Sequence, residues 1–200
     1  MSDLDALLGE SLLMSGTDHP DAPAGKAAKY ARPELERRFL LRAVPPGETV
    51  ARHRIEDRYL EGTRLRLRRM TSTDGRGDVS IARKLTQKIP GADGGPGLIT
   101  SMYLSPQEYA RLQPLPAREL AKSRLSIPPF GVDVFEGQLE GLILAEVEFE
   151  IRSDADAFVP GIDVVAEVTS DVRFSGGRLV STTAAELAEL LRAFGLDGGP

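Results

Sequence analysis

Glu34, Glu36 and Arg38 stand at alternate positions of the stretch ELERRFLL, residues 34–41. Alternate side chains of an extended backbone point to the same face, so two carboxylates and a guanidinium would share one surface. The alternation recurs further along the chain. RLRLRR sets Arg64, Arg66 and Arg68 against Leu65 and Leu67, KLTQK aligns Lys84, Thr86 and Lys88, and AKSR aligns Lys122 with Arg124. In AEVEFEI, Glu146, Glu148 and Glu150 oppose Val147, Phe149 and Ile151.

On any one strand, such a face is ordinarily the solvated side of a half-buried sheet. Repetition argues for more. Residues two apart on a strand lie about 6.6 Å from each other, and a like-charged pair at that distance repels by about 2 kcal/mol at an effective dielectric of about 20. A fold that accepts this cost repeatedly is expected to use the charges. Turned inward, they would give a cavity with a basic wall and an acidic patch. Lysine and arginine hold phosphoryl oxygens by charge-assisted hydrogen bonds, while carboxylates hold Mg²⁺ or Mn²⁺ together with substrate phosphates. A triphosphate with its metal satisfies both.

These residues need short strands to carry them. From residue 33 onward, strand-like runs alternate with punctuation such as DGRGD and GADGGPG, a pattern that predicts antiparallel strands in a sandwich or barrel. Ser105 and Pro106 open SPQEYARL as a short capped helix. STTAAELAELLRAFG predicts a helix over about 183–194, capped by Thr182 or Thr183, with a stripe of Leu187, Leu190, Leu191 and Phe194 and a closing Gly195. Residues 1–28, rich in Gly, Pro, Asp and Ala, are expected to form a weakly ordered tail before a domain spanning 29–200.

Composition narrows the chemistry. The 200 residues are 41% hydrophobic and 28% charged, which is globular composition. Cysteine is absent, and the two histidines, His19 and His53, are too few for a histidine zinc cluster, so any metal must be held by oxygen. The net charge of -5 opposes binding to long nucleic acids. No apolar run is long enough for a transmembrane helix and no secretory signal pattern opens the chain, which predicts a cytoplasmic protein with no membrane partner. A homodimer through an apolar patch or the C-terminal helix is compatible with this composition.

The ordered set ELERRF, DRYLEGTRLRLRR, KLTQK, SPQEYARL, AKSR, VDVFEGQLEGLILAEVEFE and AEVTSDVRF, from about residue 33 to 180, resembles the CYTH superfamily of triphosphate tunnel metalloenzymes. That resemblance implies a mainly β, α+β fold: a closed antiparallel barrel, a tunnel open at both ends with a charged lumen and a few peripheral helices. It further implies hydrolysis of the terminal phosphoanhydride of inorganic or organic triphosphates with Mg²⁺ or Mn²⁺. By position, Glu34, Glu36 and Glu148 match the metal-binding acids, with Asp133, Glu146 and Glu167 as further candidates and Asp171 as a companion of Glu167. Arg38, Arg66, Arg68, Lys84, Lys88, Lys122 and Arg124 match the phosphate-binding cations. Glu146, Glu148 and Arg38 are the residues assigned to catalysis. Position 38 is arginine where the family signature has lysine. Arginine stays protonated, so it can bind phosphate but cannot act as a general base. Adenylate cyclisation and non-catalytic binding of polyphosphate or nucleotide are the alternative activities. Low aromatic content, with no tryptophan, offers no evident platform for stacking a base.

Overall fold

The computed structural model describes residues 31–74, 76–89 and 97–196. The tail expected over residues 1–28 lies outside the described residues. Ten strands form one antiparallel sheet: β1 (Arg32–Pro33), β2 (Glu36–Leu40), β3 (Ala51–Leu60), β4 (Leu65–Thr73), β5 (Val79–Ile89), β6 (Leu98–Tyr103), β7 (Ala117–Ile127), β8 (Phe130–Phe135), β9 (Ile143–Glu148) and β10 (Ala166–Glu167). Their order across the sheet is β1-β6-β5-β4-β3-β7-β8-β9-β2-β10. The expected mainly β, antiparallel architecture is present.

A barrel closed by hydrogen bonds is not. Among the described residues the end strands, β1 and β10, do not pair with each other. The two ends are instead joined by the chain itself, because β1 and β2 are consecutive parts of one segment, residues 32–40. At its start this segment pairs with β6, and Glu34 N–H donates to the Gly97 carbonyl at 2.9 Å. Beyond that point it changes partner: Phe149 N–H donates to the Leu35 carbonyl at 2.7 Å, and Glu36 to Leu40 pair with β9. Two short strands facing different neighbours leave a seam where a continuous ladder was expected.

Register fixes the faces. Glu36 lies opposite Glu148 and Arg38 opposite Glu146, while Arg124 lies opposite both Asp133 and His53. Further along, Asp57 lies opposite Arg68, and Arg68 opposite Lys84. Directly opposed residues share a face, so the alternate charged positions of these strands all point to the same side.

Apolar residues cover both surfaces of the sheet. On the side away from the charges, Phe39, Leu41, Val132, Ala145 and Val147 pack with Ile127 and Phe130. Phe158 caps this cluster, with its ring centroid 5.9 Å from that of Phe130 and 5.3 Å from that of Phe149. The second core lies on the charged face itself, towards one end. There Leu40, Leu120, Phe135 and Leu144 meet Phe174, Leu179, Leu187, Leu190 and Leu191 from the C-terminal helices.

Local signals explain those helices. Four short α-helices are described: α1 (Pro106–Leu112), α2 (Arg152–Ala157), α3 (Gly176–Leu179) and α4 (Ala184–Ala193). Ser105 and Glu108 form a reciprocal capping box at α1, and Thr183 and Glu186 form another at α4. Gly195, at φ 70°, follows α4 in the left-handed region that favours glycine. The expected C-terminal helix is therefore present, and its leucine stripe stoppers one end of the charged face. The apolar packing covers that part of the charged face.

Phe174 is 1% exposed at the centre of the stopper, whereas Val172 in the same 3₁₀ turn is 70% exposed. Phe174→Ala is expected to lower unfolding free energy by about 3–5 kcal/mol, and Val172→Ala by less than about 0.5 kcal/mol. Urea unfolding followed by circular dichroism checks both, and equal effects would refute the stopper as a packed core.

Candidate active site

Two buried aspartates organise the cations. Asp133, in the middle of β8, is fully buried, with its carboxylate gripped by Lys122 and, at 2.6 Å on each oxygen, by Arg124. Arg124 also reaches Glu146 of β9, so one guanidinium ties three strands together. Its stem passes close over Gly131, where an added Cβ would lie 3.3 Å from Arg124 Cδ. Asp57 of β3 is the second anchor. It takes two hydrogen bonds of 2.6 Å from Arg68, and Arg66 Nε lies 3.8 Å away. Buried charges survive only when paired in this way.

The pairing leaves donors over. Arg66 Nε is buried with no hydrogen-bond partner, and a buried donor left unsatisfied costs about 1–3 kcal/mol. An anionic oxygen on this face would remove that cost. Arg38 Nε is similarly unbonded and lies 3.4 Å from Glu36 Oε1, while the terminal nitrogens of Arg38 donate to the carbonyls of Phe174 at 2.7 Å and Thr169 at 2.9 Å. Arg38 thus links the acidic patch to the stopper. Lys88 pairs with Glu34, and Lys84 Nζ rests 4.8 Å from the centroid of the Tyr103 ring.

Opposite walls of the sheet influence one another. Lys88 on β5 favours ionisation of Glu36 on β2 and Glu146 on β9, although four strands separate β5 from β9 along the ladder. Burial, the Glu146 charge and the Glu34 charge raise the Glu36 carboxyl from 4.5 to about 7, against the opposing pull of Lys88 and Arg38. Burial also opposes ionisation of Glu146, but Lys122, Arg124, Arg38 and Lys88 outweigh it and hold that carboxyl well below the usual range. The two acids are pushed apart by their surroundings: Glu146 is firmly anionic, and Glu36 is poised near neutrality.

The sequence-predicted residues are mostly brought together. Glu34, Glu36, Arg38, Arg66, Arg68, Lys84, Lys88, Lys122, Arg124, Asp133 and Glu146 share the charged face, and Glu148 stands exposed at its edge opposite Glu36. Glu167 departs from the expectation. It pairs in register with Phe39 on the other face, where it accepts hydrogen bonds of 2.9 and 2.5 Å from Arg37. Asp171 caps a 3₁₀ turn and pairs with Arg173 at 2.6 Å. Tyr59 is a wall residue whose hydroxyl packs directly on Gly176. Asp133 serves the cations, since both its oxygens are occupied.

Asp57 and His53 are among the polar residues of the face that were not singled out from sequence. Asp57 lies beside Glu56 in HRIEDRYL, and only pairing with Arg68 shows that Asp57 is the one on the charged face. His53 faces Arg124 and is hydrogen-bonded by Nδ1 to Ser72 Oγ at 2.8 Å; burial and Arg124 lower its pKa. Alternation marks both positions but does not say which way a strand is turned.

No family model matches the chain. The chain is similar to the inorganic triphosphatase of Nitrosomonas europaea (strain ATCC 19718), with 29% identity over 155 residues covering 73% of this chain and 95% of that protein. Among solved structures it is similar to the inorganic triphosphatase NE1496, with 26% identity, coverage of 74% and 95%, and a TM-score of 0.49. It is also similar to the PH1012 protein of Pyrococcus horikoshii OT3, with 14% identity, coverage of 82% and 90%, and a TM-score of 0.38. The sequence is thus homologous to an inorganic triphosphatase over most of its length.

The crowding of Glu36 has a measurable signature. A carboxyl whose pKa is raised by folding binds its proton more tightly folded than unfolded, so the fold loses stability as pH rises from 4.5 to about 7. Each pH unit of that interval costs at most about 1.4 kcal/mol. In the absence of divalent cations, Glu36→Gln is expected to match the parent in stability below pH 4.5 and to exceed it above pH 7 by on the order of 3 kcal/mol. Chemical denaturation across pH in chelator checks this; a variant less stable than the parent at pH 8 would contradict it.

Proposed function

We propose that the chain is a metal-dependent triphosphatase of the triphosphate tunnel (CYTH) type, hydrolysing the terminal phosphoanhydride of inorganic triphosphate or an organic triphosphate. Homology to an inorganic triphosphatase supports this. The observation that carries it is the meeting of Arg66, Arg68, Lys84, Lys88, Lys122 and Arg124 with Glu34, Glu36, Glu146 and Glu148 on one largely buried face. Segment 32–40, bonded to β6 at one end and β9 at the other, would complete the wall of a tunnel with its stopper at one end.

The acids suit a hard divalent cation. Among the described residues no three carboxylates form a ready-made cage. Magnesium commonly takes one or two carboxylates and completes its shell with water and phosphate oxygens. Glu36 and Glu148, directly opposed on β2 and β9, would supply those carboxylates, with Glu34 close by. Burial and the Glu146 and Glu34 carboxylates raise the pKa of Glu36, so a bound cation would favour its ionised form. When bound, Mg²⁺ or Mn²⁺ supplies charge neutralisation and a more acidic water.

The chain's own residues do the rest. The six cations hold the equatorial phosphoryl oxygens and stabilise charge that spreads over them as the bond to the bridging oxygen breaks. Arg38, fixed by two carbonyls, adds positive charge at the reacting end and takes no proton. Glu146, kept ionised, is too weak a base to hold a proton at neutral pH and instead orients the attacking water. Glu148 has no cation within ion-pair distance among the described residues; as a metal-holding carboxylate it would help Glu146 orient the water, whose proton leaves with the released orthophosphate. Orthophosphate and pyrophosphate leave when the substrate is inorganic triphosphate.

A panel of tripolyphosphate, ATP, thiamine triphosphate and long-chain polyphosphate, each with Mg²⁺ or Mn²⁺, is expected to release orthophosphate, and excess chelator is expected to stop it. Glu36→Gln and Glu148→Gln are each expected to lower kcat at least about a hundredfold while circular dichroism stays unchanged. Cyclic AMP with pyrophosphate would identify a cyclase, and tight binding without release a non-catalytic binder. Full activity in both variants would refute the metal and water roles.

A further inference from the structure

On the charged face, Asp57, Arg68, Lys84 and Tyr103 stand directly opposite one another on β3, β4, β5 and β6. The row begins with a buried acid and ends on an aromatic ring in water. Tyr103 is 74% exposed and its neighbour Met102 53%. Arg66, Arg68, Lys88, Lys122 and Arg124 each have a carboxylate partner among the described residues, whereas Lys84 rests on the Tyr103 ring. Lys84 is therefore the cation that gives up least to accept a phosphate.

Neighbouring strands lie about 4.8 Å apart, so β6 stands about 10 Å from β4 across the row. A triphosphate gripped by Arg68 and Lys84 would carry any substituent on its far phosphate towards β6. We infer that Tyr103 forms a stacking subsite for an aromatic heterocycle, such as a nucleobase, attached to the bound triphosphate. This rests on the triphosphate assignment above and adds a preference between substrates. The ring offers a π-face to the heterocycle, and Lys84 can leave it for the phosphate without breaking an ion pair. Inorganic triphosphate has nothing to place there, so its binding is indifferent to Tyr103.

Calorimetric titration of the parent, Tyr103→Ala and Tyr103→Phe with tripolyphosphate and with the β,γ-imido analogue of ATP separates the possibilities. Tyr103→Ala is expected to weaken the nucleotide analogue about tenfold and leave tripolyphosphate unchanged, while Tyr103→Phe retains parental affinity for both. Equal weakening of both ligands would overturn the subsite, because Tyr103 would then act only through Lys84. Unchanged affinity of Tyr103→Ala for the analogue would overturn it as well. If the parent binds neither ligand, the triphosphate assignment itself fails and the subsite fails with it; binding of tripolyphosphate with loss of only the stacking effect leaves that assignment standing.

Discussion

Charge balance on the inner face is the constraint on which the rest of this structure depends. Six cations on neighbouring strands would drive the sheet apart unless anions were interleaved among them. Asp133 and Asp57 supply that balance within hydrogen-bonding distance. Removing one partner of a buried pair is far costlier than the net worth of the pair, so these aspartates tie the strands they join to one register. Arg124 shows the economy of the arrangement, since a single side chain joins β7 to β8 and β9.

The balance is deliberately incomplete at two places. Arg66 keeps an unbonded buried nitrogen on the basic side, and Glu36 resists losing its proton on the acidic side. Each is a local cost that a bound anion or cation respectively would relieve. Under the proposed function, that imbalance would become binding energy when a phosphate and a metal arrive together. Preorganisation here means charges already held in place by other charges.

Much of this was legible in the sequence, because alternation and capping are local. The charged and apolar sides of RLRLRR and AEVEFEI follow from a period of two, and the boxes at Ser105 and Thr183 define α1 and α4 without tertiary information. What could not be read is long-range pairing. Whether Glu56 or Asp57 turns inward depends on the partner strand, as does the placement of Glu167 beside Arg37. Asp133 has the composition of a metal ligand and becomes a partner of cations only because Lys122 and Arg124 lie opposite. The stopper depends on a leucine stripe folding back onto Leu40 and Leu144, which alternation within either segment does not disclose.

The segment that joins the sheet's two ends also sets a timetable. Residues 32–40 leave the ribosome before their partners, which are Leu98 and Ile99 on one side and Leu144 to Glu148 on the other. Contacts so distant in sequence form late and slowly. Glu34 can meet Lys88 and the Gly97 carbonyl once β6 has emerged, but Glu36 and Arg38 lack their β9 partners until residues 146–148 are made. This segment, synthesised ahead of its partners, is therefore among the last parts of the sheet to be locked into place.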